Sequence, residues 1–181
     1  NLRQDNQDYC ADYCAVDAYA YGSHPLQIVE LMRNTANFNT PFGKPVLITE
    51  FGGSPQSQDV DYLAAAFRAA LWSSVGMPLG GTPMFWWWGL IEDRNYYPEF
   101  NRVGAFLKGE DRRGKTMIPR RPELWRNQSA TSEFAGTCLA SGDRGLGWIY
   151  AQDFGARPPG TGAPPLTTNL VLILREMGQG P

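Results

Sequence analysis

Histidine and cysteine are scarce in this sequence, with one histidine and three cysteines among 181 residues. His24 alone cannot supply a histidine-rich metal site. Cys10 and Cys14 have helical spacing, but the chain lacks the second cysteine pair of a four-ligand zinc site. We therefore expect no metal and no organic cofactor. Because an odd count leaves at least one thiol free or paired outside the chain, cysteine usage does not identify the compartment.

An excess of positive charge and long apolar runs are missing as well. Lys and Arg number 16 against 18 Asp and Glu, which gives a net charge of −2. Nucleic-acid surfaces need clustered Lys and Arg, whereas the basic residues from Arg112 to Arg121 are flanked by acidic ones. No apolar run reaches the about 18–20 residues that cross a bilayer. We expect no nucleic-acid partner and no membrane span.

What remains is a globular composition, 43% hydrophobic and 13% aromatic. Hydrophobic periodicity predicts alternating strands and helices in the first part of the chain. The predicted elements are strand 14–21, helix 25–37, strand 45–49, helix 60–75, strand 84–90, a polar loop, and a short helix at 99–108. Repeated βα units indicate a parallel sheet, either doubly wound or closed as a barrel.

The pattern changes after Gly109, where helical periodicity ends. Three short strand-like segments follow, Phe134–Leu139, Leu146–Tyr150 and Leu170–Leu174. Short strands separated by Pro- and Gly-rich connections indicate antiparallel structure. We divide the chain into a first domain at 1–115, a linker at 116–130 and a partial β domain at 131–181.

Glu50 is the carboxylate with the most specific setting. It follows four apolar residues in the run PVLITEFGG, at the carboxyl end of a predicted buried strand. In βα barrels, catalytic groups lie at this end because the βα loops form the pocket there. The glycines that follow allow a sharp turn and leave space for a ligand. The alternative interpretation is a glutamate that merely ends a strand.

The run KPVLITEFGG resembles the strand-seven motif of clan A retaining glycoside hydrolases, the cellulase-like and β-mannanase-like enzymes. The later run MFWWWGL is similar to their strand eight, where a tryptophan ring forms the floor of the sugar-binding site. The segment WWWGLIEDRNYYPEFNRVGAFLKGEDRR resembles a subgroup with an extra C-terminal β domain. The resemblance covers roughly residues 10–115. It implies the C-terminal portion of a (β/α)8 TIM barrel followed by an antiparallel β-sandwich-like segment.

The same resemblance implies roles for individual residues. Glu50 would be the nucleophile, and Tyr19 or Tyr21 would take the place of the strand-six His or Tyr beside it. Sugar rings stack their C–H faces on aromatic rings and bond through their hydroxyls to polar side chains. The expected substrate-binding residues are therefore Tyr19, Tyr21, Trp86, Trp88, Asp93 and Asn95. Strand alternation would turn Trp87 the other way.

The acid/base residue of this clan is missing from the sequence. It is normally the Glu of an Asn-Glu pair on strand four, and no such pair occurs here. A whole barrel takes about 250 residues, and the chain begins without Met. We therefore expect a fragment that is incomplete as an enzyme, with the acid/base upstream of Asn1 or in another chain. Asp17, on the same predicted strand face as Tyr19, is the best substitute within the chain.

Three functional interpretations stay open. The first is a secreted, periplasmic or cell-surface glycosidase that acts with retention on a β-linked polysaccharide or oligosaccharide. The second is a non-catalytic carbohydrate-binding or structural subunit with a degenerate hydrolase fold. The third is an unrelated α/β protein in which TEFGG is a coincidence. A second carboxylate about 5–5.5 Å from Glu50 would separate the first from the second.

Overall fold

In the computed structural model of the chain, the described residues are 12–56, 58–142, 144–155 and 169–174. They form four α-helices, α1 (Gln27–Asn39), α2 (Val60–Ser74), α3 (Trp88–Arg94) and α4 (Tyr97–Phe106). A 3-10 turn, Thr40–Phe42, extends α1. The strands are β1 (Cys14–Tyr19), β2 (Val46–Gly52), β3 (Ile118–Arg120), β4 (Glu123–Arg126), β5 (Ser129–Ala130), β6 (Phe134–Ala140), β7 (Gly145–Ala151) and β8 (Leu170–Ile173).

The first sheet consists of β1 and β2, which run parallel. Alternate side chains of β1 are buried, as strand pleating requires when one face packs on helices. The buried face carries Cys14, Val16 and Ala18, and α1 packs against β1. Phe85 adds a single parallel bridge to Phe51 on the far side of β2. The opposite face of this small sheet remains open.

The core lies between the sheet and its helices. Phe51 and Phe67 are almost fully buried, and both rings contact Phe85 at centroid distances of 5.2 and 5.3 Å. Helix α2 begins where the Asp59 side chain accepts a hydrogen bond from Tyr62 N at 2.6 Å, a normal N-cap. The alanine side chains on its buried face are short, so the helix can pack closely against α1 and the neighbouring strands.

The C-terminal part forms two antiparallel sheets, ordered β3–β6–β7 and β5–β4–β8. The first packs against α2, where Thr137 Oγ1 donates to Ser73 O at 2.9 Å. A Cβ at Gly76 would lie 2.5 Å from the Thr137 carbonyl, so this close approach requires glycine. Leu146 and Tyr150 of β7 belong to the same core cluster as Phe67. One hydrophobic core therefore joins the helices to the β3–β6–β7 sheet.

The predicted fold class, the C-terminal portion of a (β/α)8 TIM barrel followed by an antiparallel β-sandwich-like segment, is wrong. Within the described residues, parallel pairing is confined to β1–β2 and the Phe85 bridge. The other six strands lie in two small antiparallel sheets. A barrel needs eight parallel strands closed around a packed interior. The observed molecule is a small mixed α/β protein with helices on one face of its parallel sheet.

Individual elements were predicted with mixed success. The helices near 25–37 and 60–75 are confirmed, as are antiparallel strands near 134–139 and 146–150. Strand β2 pairs in parallel with β1 on one side, and on the other side it meets only the single bridge at Phe85. The strand predicted at 84–90 is wrong, because α3 begins at Trp88. The polar loop predicted after it is largely helical. Strands β3 and β4 lie within residues 116–130, the segment interpreted as a linker.

Candidate functional site

The open face of the β1–β2 sheet carries the candidate site. In β2, Val46 and Ile48 point into the core, and regular alternation would send Glu50 there as well. The register shifts instead, because Val16 pairs with Ile48 while Asp17 pairs with Glu50. Thr49 is the extra residue, as in a β-bulge. Phe51 consequently enters the core, and Glu50 lies half-buried on the open face.

Glu50 and Tyr19 are directly bonded. The Tyr19 hydroxyl donates a hydrogen bond to Glu50 Oε1. Burial raises the pKa of Tyr19 well above its usual value, and the hydrogen bond to Glu50 and the charges of Glu50 and Asp17 raise it further. The phenol therefore stays protonated at neutral pH and remains a donor. Its hydrogen bond engages one of the two carboxylate oxygens of Glu50 and fixes the orientation of that carboxylate.

Asp17 lies beside this pair. Its Cα is the register partner of the Glu50 Cα across the two strands. Thr49 Oγ1 donates to Asp17 Oδ1 at 3.0 Å and also lies 3.3 Å from Val16 O. Asp17 is exposed, so its second carboxyl oxygen is available to solvent or a ligand. The open face thus presents two carboxylates, one oriented by a tyrosine and the other by a threonine.

Tyr21 extends the same surface beyond the end of β1. Its ring stacks on Tyr19 with centroids 6.0 Å apart and an interplanar angle of 11°. It is 65% exposed, which leaves one ring face free. An exposed aromatic face beside a carboxylate pair suits the C–H face of a sugar ring.

The three tryptophans do not share one orientation. The Trp86 backbone N–H donates to Phe51 O at 2.9 Å, which brings Trp86 next to the end of β2. Trp86 and Trp88 are 47% and 74% exposed. Trp87 is half-buried, and its Nε1 donates to Gly53 O at 2.9 Å. The structure thus leaves Trp86 and Trp88 accessible and assigns Trp87 a structural contact.

Gly52, at the end of β2, lies close to the rings of both Tyr19 and Trp87. A Cβ at Gly52 would lie 3.3 Å from Tyr19 Cε1 and 3.2 Å from Trp87 Nε1. These contacts are tighter than ordinary van der Waals distances, so a larger side chain would push the two rings apart. The glycine immediately after Glu50 and Phe51 therefore lets the Tyr19 and Trp87 rings both approach the end of β2 closely.

Asp93 and Asn95 follow the tryptophan run in the sequence, at the end of α3. Asp93 is exposed near the end of α3, and Asn95 caps that helix in the left-handed region at φ 50°. Within the described residues, no hydrogen bond or ion pair joins either side chain to Glu50 or Tyr19. Their predicted role in substrate binding stays a prediction. Asn95 has a clear structural role, since asparagine tolerates this backbone conformation better than most residues.

Gln58 supports the site and was missed by the sequence reasoning. Its buried amide Nε2 donates to Ala20 O at 3.2 Å and Gly22 O at 2.9 Å, while its Oε1 accepts from Ser54 N at 2.8 Å. The side chain thereby ties the segment after β1 to the segment after β2. No pattern in the sequence distinguishes this glutamine from a surface residue.

Two cavities lie elsewhere, with volumes of about 540 and 210 Å³, and Glu50 lines neither of them. The larger is bordered by Glu110, whose buried carboxylate pairs with Arg144. Among the residues that the structure describes, no three His, Cys, Asp or Glu side chains converge as metal ligands. Nor is any helix in that part of the chain long and apolar enough to span a bilayer. Glu50 itself is half-buried on the sheet face that carries the exposed Asp17.

Comparison with known proteins does not assign the chain to a family. No family model matches the sequence, and neither a curated protein nor a solved structure matches it.

Proposed function

We propose that the chain acts in the hydrolysis of a β-linked polysaccharide or oligosaccharide with retention, with Glu50 as the nucleophile. The observation that carries this proposal is the Glu50 carboxylate on an open sheet face, held at one oxygen by the Tyr19 hydroxyl. The resemblance of KPVLITEFGG to the nucleophile motif of clan A glycoside hydrolases supports the same residue. The proposal does not depend on a barrel.

The chemistry requires an ionised and oriented carboxylate. In the first step, one oxygen of the nucleophile attacks the anomeric carbon and forms a glycosyl-enzyme. A hydrogen bond from Tyr19 to Oε1 restricts the rotation of the carboxylate. Oε2 is then the oxygen presented to the substrate. Because the raised pKa of Tyr19 keeps its hydroxyl protonated, this arrangement persists throughout the neutral pH range.

The exposed aromatic residues support a carbohydrate as the substrate. Tyr21, Trp86 and Trp88 each present more than two-fifths of their area to solvent. Rings of this kind contribute apolar contact area with little loss of conformational entropy, and they stack on the C–H faces of sugars. Asp17 and Thr49 supply polar groups beside them. An open face of this composition suits an extended saccharide better than a small compact ligand.

The test combines covalent trapping with substitution. A dinitrophenyl 2-deoxy-2-fluoro-β-glycoside should form a stable glycosyl-enzyme, and peptide mass spectrometry should locate the sugar on Glu50. Glu50→Gln should reduce turnover of cello- or manno-oligosaccharides by at least 10³-fold, on the order of the losses seen when a covalent nucleophile is removed. Asp61→Asn, an exposed carboxylate in the first turn of α2, is the matched control and should retain activity. Turnover by Glu50→Gln within tenfold of wild type would contradict the proposal.

A second candidate is a non-catalytic carbohydrate-binding protein. The observation that favours it is the position of half-buried Glu50 beside exposed Asp17 on the sheet face, since an open face excludes water poorly. Such a protein would bind the same oligosaccharides, lose affinity in Tyr21→Ala and Trp86→Ala, and keep its affinity in Glu50→Gln. Calorimetry with these variants, in the absence of measurable turnover, would establish binding as the function.

A further inference from the structure

The smaller cavity, of about 210 Å³, lies between α1, the turn after α2 and the β3–β6 strand pair. Three arginines border it, Arg33, Arg120 and Arg121, and among the described residues no aspartate or glutamate does so. We propose that this arginine cavity binds a small tetrahedral oxyanion, namely phosphate, either free or as an ester. Glu50 does not border the cavity, so this site goes beyond the hydrolysis proposed above.

The fold separates basic residues that lie close together in the sequence. Arg112 and Arg113 border the larger cavity, together with the buried carboxylate of Glu110. Arg120 and Arg121 border the arginine cavity instead, because β3 brings their segment against β6. Basic and acidic residues that alternate along this part of the sequence are thus sorted in the structure, and positive charge is concentrated at the smaller cavity.

Arg33 and Arg121 contribute to the arginine cavity in different ways. The Arg33 side chain is only 19% exposed; its Nη1 pairs with Glu30, and its Nη2 donates to Gly136 O at 3.4 Å. A guanidinium carries five N–H donors, so these contacts hold the group in place and leave further N–H groups for a ligand. Arg121 is exposed and forms no hydrogen bond or ion pair with any residue that the structure describes. Its guanidinium is therefore available to an anion.

The hydroxyl of Tyr150 lies within the field of the same two arginines. Burial raises the pKa of Tyr150, a hydrogen bond with Arg33 and the charge of Arg33 lower it, the charge of Glu30 raises it, and the charge of Arg121 lowers it. Arg33 on α1 and Arg121 after β3 therefore act on one region of the fold, although they lie far apart in the sequence. Two guanidinium groups that converge in this way can share one anion.

The size and the donors of the arginine cavity suit a compact oxyanion. Pockets for drug-sized ligands occupy about 300–1,000 Å³, so a cavity of about 210 Å³ admits a single group and not a whole nucleotide or cofactor. A phosphate group carries three strong acceptor oxygens and close to two negative charges, whereas a carboxylate offers two oxygens and one charge. Arginine binds phosphate through paired N–H···O bonds. Three guanidinium groups around one small cavity therefore favour phosphate over a carboxylate.

The test is calorimetric titration of the full chain with inorganic phosphate and with a hexose 6-phosphate, at an ionic strength held constant with sodium chloride. Wild type should show saturable binding at a single site. Arg121→Gln removes the available guanidinium and should weaken binding by about 10- to 100-fold, the loss expected for a hydrogen bond to a charged group. Arg102→Gln removes an exposed arginine of α4 that borders neither cavity, and this matched control should keep the wild-type affinity.

The two phosphate compounds distinguish the source of the ligand. Tighter binding of the hexose phosphate identifies an ester, and tighter binding of inorganic phosphate identifies the free anion. The site is overturned if wild type binds neither compound, if acetate binds as tightly as phosphate, or if Arg121→Gln stays within twofold of wild type. Equal losses in Arg121→Gln and Arg102→Gln would also overturn it, because they would indicate general attraction to positive charge. Circular dichroism of Arg121→Gln should match wild type, since this exposed side chain contributes no bond to the described fold.

Discussion

The hydroxyl of Tyr19 offers a direct measure of how strongly the fold orients Glu50. Tyr19→Phe removes one oxygen atom and keeps the ring that stacks on Tyr21. It deletes the hydrogen bond to Glu50 Oε1 and leaves the rest of the sheet face unchanged. The variant therefore tests orientation of the carboxylate separately from its presence.

The magnitude follows from the charge on the acceptor. A hydrogen bond to a charged group contributes about 1.5–3 kcal/mol net. Each 1.4 kcal/mol corresponds to about a tenfold change in rate. If the bond is fully used in the transition state, Tyr19→Phe should lower kcat/KM by about tenfold to a hundredfold. The same bond stabilises the folded chain without substrate, so we expect the free energy of unfolding to fall by up to about 1.5–3 kcal/mol.

The assay compares steady-state hydrolysis of an oligosaccharide by wild type, Tyr19→Phe and a matched tyrosine variant. Tyr62→Phe serves as the match, since its hydroxyl donates to His24 O at 3.2 Å and not to a carboxylate. Tyr62→Phe should retain wild-type kcat/KM. If Tyr19→Phe stays within twofold of wild type while remaining folded, the hydroxyl does not position the reacting carboxylate, and the reasoning about Oε1 and Oε2 is wrong.

Two further predictions concern stability. Tyrosine in the unfolded chain titrates near pH 10, while the pKa of Tyr19 in the folded chain is raised by burial and by Glu50. Above about pH 10 the folded state binds more protons than the unfolded state, so stability should fall as pH rises. Urea titrations from pH 8 to 11 should show a shallower fall for Tyr19→Phe; equal slopes would contradict this. Deletion of Thr49 should remove the extra residue and restore regular alternation, with Ile48 and Phe51 still in the core and Glu50 still on the open face. The variant should therefore stay cooperatively folded by circular dichroism, whereas an unfolded variant would show that the register shift itself is required for the fold.

The elements that the sequence predicted well are those with a strong periodic pattern. The alternating run CAVDAY and the apolar run before Glu50 identify β1 and β2 because one face of each packs on helices. Helix α2 was predicted from its apolar spacing, and it is observed at Val60–Ser74. In these segments local preference and tertiary packing agree.

The tryptophan run shows why the prediction failed at 84–90. Short apolar runs do not distinguish a buried strand from a buried helix. Trp87, Leu90 and Ile91 have the spacing of one helix face, and all three pack against the core. That spacing outweighs the strand preference of the aromatic residues once α3 begins at Trp88. The strand interpretation relied on composition where the period was the better guide.

Strands β3 and β4 were missed for a different reason. Pro119 lies inside β3, and proline is depleted in strands because it lacks a donor. The structure accommodates it because β3 is the edge strand of its sheet, so one side of its backbone needs no partner. Whether a strand lies at an edge depends on pairing across the sheet, which local sequence does not specify.

The barrel prediction failed because a motif constrains only its own neighbourhood. KPVLITEFGG requires a strand with a carboxylate at its end, and a pair of parallel strands meets that requirement as well as eight do. The feature that places Glu50 on the open face is the register shift between Val16 and Asp17, not closure of a sheet. Counting residues by twos from Val46 predicts a buried Glu50 and an exposed Phe51, whereas one extra residue, Thr49, reverses both. It also brings Glu50 level with Asp17 and supplies the hydroxyl that holds Asp17 in place. The candidate chemistry of this chain therefore depends on a single irregularity in one strand pair.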